Sequence, residues 1–493
     1  MNPPLPSLRF NRINSSPNQA KFADPTTSIE ILRSPHLAQP LIGAEFAIPL
    51  FVKINNSGMN DLAKTDKSLN KTIAPNEKNN NKESNNNNIP DFLASEEILL
   101  QNDTTNSAIN DGPIATIAAH FAEIDDPRVD WNKSHELLDI IIIAICAVIC
   151  GANNWIQIEE FGSSKREWLE LFLELKSGIP SHDTFNRVFS RLDPKQFQNA
   201  FISWVQSIRK VINGEIIAVD GKTNRRTHDK KLGKNAIHMV SAWATSNNLV
   251  LGQVKVNEKS NEITAIPQLL DLLYISGCIV TIDAMGCQKD IAQKIIDKDA
   301  DYVLALKKNQ KNLYEDVQNI FQPILSPDKT EKIINYDYFN TVDINHGRVE
   351  IREGWTISGL DVQDKIRNRA NWANLNTIAL VRDERRIGDK IEISDRLFIS
   401  SLPSNAEQIL GAARAHWSIE TSLHWVLDVA FREDDCRLRT GHGPENLAIL
   451  RHMALNLLKQ EKSSKHGIQT KRFKAGLNEN YLLKVLSHGL SIE

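Results

Sequence analysis

Cysteine is scarce in this chain of 493 residues: five are present, Cys146, Cys150, Cys278, Cys287 and Cys436, and no two form a CxxC pair. That argues against a disulfide scaffold or a cysteine-built zinc module and suits reduced thiols in a cytoplasmic protein. An excess of charge of either sign is also missing, with 58 basic residues against 61 acidic ones. Such a balance neither advertises nor rules out a nucleic-acid partner, because a local basic face coexists readily with an acidic remainder. The longest apolar run, Ile140 to Cys150, is too short to span a bilayer, and the N-terminus lacks a basic-then-apolar signal pattern. We therefore expect a soluble protein with no membrane partner, and its length predicts two or three domains.

Composition shifts divide the chain. Residues 1–112 are rich in Asn, Ser, Pro and Thr, culminating in NEKNNNKESNNNN, and cannot bury enough apolar surface to offset their ordering entropy. They are expected to be a disordered low-complexity tail. Residues 113–212 read as an all-α domain. Ile114, Ile117, Ala118 and Phe121 share a helical face, the stretch from near Ser134 to Cys150 is apolar all round, and Ser164 with Glu167 forms a capping box for a helix through Leu175. Asp193-Pro194 opens another helix. The pair around SGIPSHDTFNRVFSR is a candidate helix-turn-helix presenting Asn186, Arg187 and Arg191 to DNA, although its linker is longer than usual.

Then the apolar period changes to two. In EIIAVDGK, Ile216 to Val219 form an unbroken apolar run that stops on Asp220, followed by Gly221, which is read as a turn. A hairpin follows, and GCIVTIDAMG repeats the apolar-run-then-acid pattern at Asp283. The order β-β-β-α-β-α-β over residues 213–313, with acids closing the first and fourth strands, is an RNase H-like layout in the α/β class. Residues 314–395 read as a β-rich insertion without a long helix, 396–460 as the helices that complete the core, and 461–493 as a C-terminal tail.

A capping box at Ser404 and Glu407 predicts one long helix in which His416, Glu420, His424 and Asp428 recur every four residues. A solvated stripe is the commoner meaning of such a line. Glu420 and His424 would also suit zinc, but there is no HExxH spacing and oxygen donors dominate. Two Asp at strand ends need a third oxygen donor to hold two divalent cations for phosphoryl transfer, and Glu420 supplies it.

AVDGKT, HMVSAWA, NEITAIPQLL, GCIVTIDAMGCQ, DYVLALKKNQ, HGRVEIR and AHWSIETSLHWVLDVAFREDDCRLRTG together resemble the bacterial insertion-sequence transposases of the H-repeat-associated (ISAs-type) family, over roughly residues 114 to 460. FAEIDDPR and GIPSHDTFNRVF resemble that family's N-terminal associated domain. The resemblance implies a DDE catalytic domain whose motif acids fall on Asp220, Asp283 and Glu420, with Asp220 bridging two Mg²⁺ (or Mn²⁺) ions. Related transposases carry Tyr-x2-Arg-x3-Glu-x6-Lys around the last acid, whereas those places here hold Ala413, His416 and Leu427. Lys222, Lys307, Arg348 and His416 are accordingly the candidate phosphate contacts. A cationic His416, raised by a nearby acid above the ~6.5 of an ordinary histidine, would stand in for the arginine. The expected reaction is cleavage at the ends of an element followed by strand transfer, by an oligomer on DNA. A transposase-derived DNA-binding protein without catalysis, and an RNase H-like nuclease without strand transfer, are the alternatives.

Overall fold

The computed structural model describes residues 112–488 except 211, 229–232, 234, 258–259, 326–334, 346 and 360–363. The low-complexity segment 1–111 lies outside the described residues. Residues 113–208 contain α1 (Pro113–Phe121), α2 (Leu137–Ile149), α3 (Trp155–Ser164), α4 (Arg166–Leu169), α5 (His182–Arg191) and α6 (Pro194–Ile208). Every residue of α2 from Ile140 to Ile149 is buried, as its all-round apolar sequence demands. Ser181 caps α5 by accepting from the Thr184 amide, and the Asp193 side chain caps α6 by accepting from the Lys195 amide.

The capping box at Ser164 does not open a helix. Asn154 caps α3 ten residues earlier, so Ser164 is the last residue of that helix, and Leu175 sits at φ 33°, which breaks any helix running through it. Residues 170–181 consequently separate α4 from α5, too many for a tight helix-turn-helix. α5 is held elsewhere: its apolar residues Phe185, Val188 and Phe189 face inward, and its C-terminal carbonyls accept from the buried Asn446 amide.

From residue 216 the chain builds one nine-stranded mixed sheet. Its strands are β1 (Ile216–Thr223), β2 (His238–Ala244), β3 (Leu249–Lys255), β4 (Ile279–Ile282), β5 (Asp301–Leu306), β6 (Asp337–Asn345), β7 (Arg348–Ser358), β8 (Thr377–Ile387) and β9 (Lys390–Ser400), in the order β3-β2-β1-β4-β5-β9-β8-β7-β6. β1, β4 and β5 are parallel neighbours with α7 (Glu262–Leu272) and α8 (Lys289–Ile296) as crossovers, and the other pairings are antiparallel. Ile217, Ala218 and Val219 of β1 and all of β4 are buried, as expected of parallel strands covered on both faces.

One expectation for residues 314–395, the lack of a long helix, fails. A helix, α9 (Lys311–Leu325), begins the segment, with Leu313, Val317, Ile320 and Phe321 buried at helical spacing. The strands of the segment extend the sheet through β8, which pairs along β9, while the part of β9 that pairs with β5, Leu397–Ser400, lies beyond residue 395 where the core was expected to resume. Hydrogen bonding along the ladder, invisible in a one-dimensional pattern, makes that join.

Beyond the sheet come α10 (Ala406–His416), α11 (Trp425–Ala430), α12 (Gly443–Gln460), α13 (Ile468–Leu477) and α14 (Glu479–Ser487). Asn456 on α12 docks on β3: its amide oxygen accepts from the Val250 N–H at 2.8 Å and its amide nitrogen donates to the Val250 carbonyl at 3.0 Å. The expected C-terminal tail is instead folded structure. Arg472 on α13 is buried and donates to the carbonyls of Val148, Ala152 and Ala430, which lie at the ends of α2 and α11, with its guanidinium 4.1 Å over the Phe431 ring. A cation at helix C-termini satisfies orphan carbonyls and meets the negative end of the dipole. Few apolar residues mark α13 in the sequence, because what it contributes to the core is a cation.

Glu461, just after α12, is buried and accepts hydrogen bonds from Tyr481 and from the backbone and side chain of Ser463. Burial favours its protonated form, yet these donors outweigh burial and hold the carboxyl down to about 2, from an ordinary value of 4.5. A depressed folded pKa contributes stability above the unfolded value that is lost as pH falls towards the folded one. Thermal melts should therefore show the wild type losing stability between about pH 4.5 and 2, and Glu461→Gln losing markedly less over that range. Parallel melting curves for the two proteins from pH 5 to 2.5 would remove Glu461 as a source of acid sensitivity.

Candidate active site

The β1–β4 ladder ends at the pair Val219 and Ile282, so Asp220 and Asp283 are each the next residue after it, on neighbouring parallel strands. β1 itself runs on to Thr223 alongside β2, so Gly221 is a strand residue and not the expected turn. Its lack of a side chain serves a close approach: a Cβ there would lie 2.1 Å from Glu262 Oε1 and 2.6 Å from His238 Nε2. These two side chains hydrogen-bond at 2.6 Å, and His238 Nδ1 pairs with the Thr223 hydroxyl at 2.7 Å. Glu262 is thus a further acid beside Asp220 that the sequence reading did not single out.

Burial pushes the Asp220 carboxyl up to about 6, with Glu262 and Asp283 adding to the rise and His424 opposing it. Asp283 Oδ1 accepts from the amides of Met285 at 3.0 Å and Gly286 at 3.3 Å, which fixes the turn after β4. That turn is clamped from the other side, where Asn309 donates to the Ala284 carbonyl and Gln310 to the Cys287 carbonyl. The NQ of DYVLALKKNQ therefore positions the loop carrying Asp283.

The expected single helix from residue 404 is interrupted. Asn405, not Ser404, provides the cap by accepting from the Gln408 amide, while the Ser404 hydroxyl pairs with Thr356. α10 ends at His416, and Glu420–His424 form a π-helical turn before α11. Such wide turns re-aim side chains and are frequent at functional sites. Here the turn swings His424 inward, where it is 3% exposed, with Nδ1 2.9 Å from Glu420 Oε2 and 3.6 Å from Asp220 Oδ2. Donor atoms of Asp220, Glu420 and His424 all lie within 4.8 Å of one another. Asp283 is not a member of that group. The four-residue line divides accordingly: Asp428 contacts Lys222 at 2.7 Å, and His416 Nδ1 is 3.1 Å from the Thr281 hydroxyl.

The expected basic contacts fare unequally. Lys222 is held by Asp428, Glu433 and Asp434 at 2.7, 3.2 and 3.5 Å, so its charge is already neutralised. Burial opposes that charge, but the three acids outweigh it and raise the pKa. Burial pushes the His416 imidazole below the usual histidine range, against the pull of Asp283, which is the reverse of the expected cationic His416. Arg348 pairs with Glu350 at 2.7 Å near the β6–β7 turn. Lys307 is exposed at the end of β5, and Arg187 and Arg191 are exposed on α5 beside the half-buried Asn186. Among the described residues no helix is long and apolar enough to cross a membrane.

Residues 213–457 match the family model described as Transposase DDE domain, and residues 118–205 match the model described as DDE_Tnp_1-associated. "Putative transposase YncI" of Escherichia coli O157:H7 is 43% identical over 76% of this chain and 95% of its own. "H repeat-associated putative transposase YhhI" of Escherichia coli K12 is 40% identical over 76% of this chain and 98% of its own. Among solved structures, a piggyBac transposase synaptic complex with hairpin DNA aligns with 74% of this chain and 76% of its own, at 10% identity and a TM-score of 0.33.

Proposed function

The chain belongs to the DDE transposase family, and on that premise we propose that it cleaves the ends of an insertion sequence and joins them to target DNA in a metal-dependent reaction. The observation that carries this reading is the meeting of Asp220 and Glu420, residues two hundred apart in sequence, across the buried His424. An RNase H-like core, formed by β1 to β5 and the helices after β9, is the architecture that the strand order supports.

The donor set suits a divalent cation. Asp220 is desolvated, and among the described residues it makes no ion pair with a lysine or arginine, so a bound ion would supply the compensation its charge lacks there. Asp220, Asp283 and Glu420 are the residues that would hold two such ions. Mg²⁺ or Mn²⁺ bound there supplies Lewis acidity, lowering the pKa of a bound water and neutralising charge on the phosphate. Asp220 and Asp283 present adjacent carboxylates from one sheet edge, while Glu420 approaches from the helical layer. Lys307 and Arg348 are proposed to contact phosphates, and the exposed face of α5 to contact DNA flanking the cut. Lys222 instead orders the acidic loop at residues 433–434 behind the site.

A cleavage assay on DNA carrying the element's own termini tests this reading. Mg²⁺ should support cutting and the appearance of joined products, and EDTA should abolish both. Cutting unaffected by EDTA would overturn the metal-dependent mechanism, and cutting that never yields joined strands would leave a nuclease.

A further inference from the structure

The carboxylates do not meet alone: the donor nearest to both Asp220 and Glu420 is a nitrogen. His424 Nδ1 lies 2.9 Å from one acid and 3.6 Å from the other, and the ring is almost completely enclosed. Its other nitrogen, Nε2, is buried and has no hydrogen-bond partner among the described residues. The described polar contacts of the ring are therefore all made through Nδ1, on the side that faces the acids. The backbone points the same way. Glu420 and His424 bound a π-helical turn, a local departure from α geometry that costs regular hydrogen bonding and persists where it aims side chains at a site.

The spacing fits one ion. Donors bound at about 2.1 Å stand about 3.0 Å apart when cis on an octahedral ion and about 4.2 Å apart when trans. The separations of 2.9 and 3.6 Å, within a group spanning 4.8 Å, need only a small contraction.

We infer that His424 is itself a metal ligand, so that Asp220, Glu420 and His424 form a mixed nitrogen–oxygen site that favours Mn²⁺ over Mg²⁺. The inference rests on the metal-dependent reading of the site, and goes beyond it by adding a ligand outside the acid triad. Imidazole nitrogen is a poor partner for hard Mg²⁺ and a better one for first-row transition ions, so the preference follows from donor chemistry. Asp283, bound to its own turn amides and outside this group, is left to an oxygen-only position.

Mn²⁺ added at one equivalent to the full-length protein without DNA provides the test, read by pulsed electron paramagnetic resonance. The expected spectrum shows nitrogen modulation from one imidazole, which changes to the ¹⁵N pattern when histidine alone is ¹⁵N-labelled. His424→Gln should abolish the modulation and weaken Mn²⁺ binding by at least roughly 10-fold, while His416→Gln should keep both. The labelling arm needs no substitution, so a misfolded variant does not spoil the test. Bound Mn²⁺ with no nitrogen coupling, or coupling that survives His424→Gln, would overturn the ligand assignment and leave the metal-dependent reading standing. Failure to bind Mn²⁺ at all would overturn both.

Discussion

Purified Asp220→Asn protein is expected to cut element-end DNA on the order of 10³-fold more slowly than the wild type, equivalent to ~4 kcal/mol of barrier. The substitution keeps the size and shape of the side chain but removes the charge that Asp283 and Glu420 flank. Stability should move the other way. Burial of the Asp220 carboxyl, which raises its pKa to about 6, penalises the charged form in the metal-free protein at neutral pH. A neutral amide escapes that penalty, so the variant should melt no lower than the wild type and should retain DNA in a mobility-shift assay. A rate within tenfold of wild type would remove Asp220 from the site. A large fall in melting temperature would mean that the lost activity reports unfolding.

The other large effect lies far from the chemistry. Arg472→Ala should destabilise the protein by roughly 3–5 kcal/mol, measured by urea unfolding, because it takes the guanidinium donors from the buried carbonyls of Ala152 and Ala430 and two hydrogen bonds from that of Val148, which keeps the Gly151 amide. Burial pushes the Arg472 guanidinium down to about 9, and among the described residues no carboxylate pairs with it, so helix-terminal carbonyls are what hold the cation in place. Removal also takes away the stacking on Phe431. Arg472 joins residues near 150, 430 and 472, so the expected loss extends to the segment that supports the π turn. A change below ~1 kcal/mol would mean that water replaces the guanidinium without cost.

What could be read in one dimension follows from local rules. An unbroken Ile-Ile-Ala-Val run must be a strand covered on both faces, and its repetition before Asp283 announces a parallel neighbour. Ser181 and Asp193 cap helices because their side chains reach amides two or three residues away. The all-round apolar α2 could only be central. By the same reasoning α9 is legible, since Leu313, Val317, Ile320 and Phe321 share a helical face, although the residues that follow it are β-rich.

The site was legible only as a set of residue types. Spacing of four set His416, Glu420, His424 and Asp428 on one helical line, but the π turn redistributes them. His424 joins the acids, Asp428 meets Lys222, and His416 turns to Thr281. No rule of periodicity predicts a π turn, because its wider hydrogen bonding is sustained by packing on both sides.

By itself, then, the sequence determined the core strands, several of the helices, the two acids that follow the paired runs of adjacent parallel strands, and the family. Each depends on contacts within a few residues or on patterns that repeat along the chain. Tertiary structure alone decided that Lys222 is neutralised by Asp428, Glu433 and Asp434, that the strands of residues 337–400 continue the same sheet, and that a histidine sits between Asp220 and Glu420. These outcomes depend on which distant groups share a desolvated space, where burial and charge pairing override the preference of any single residue.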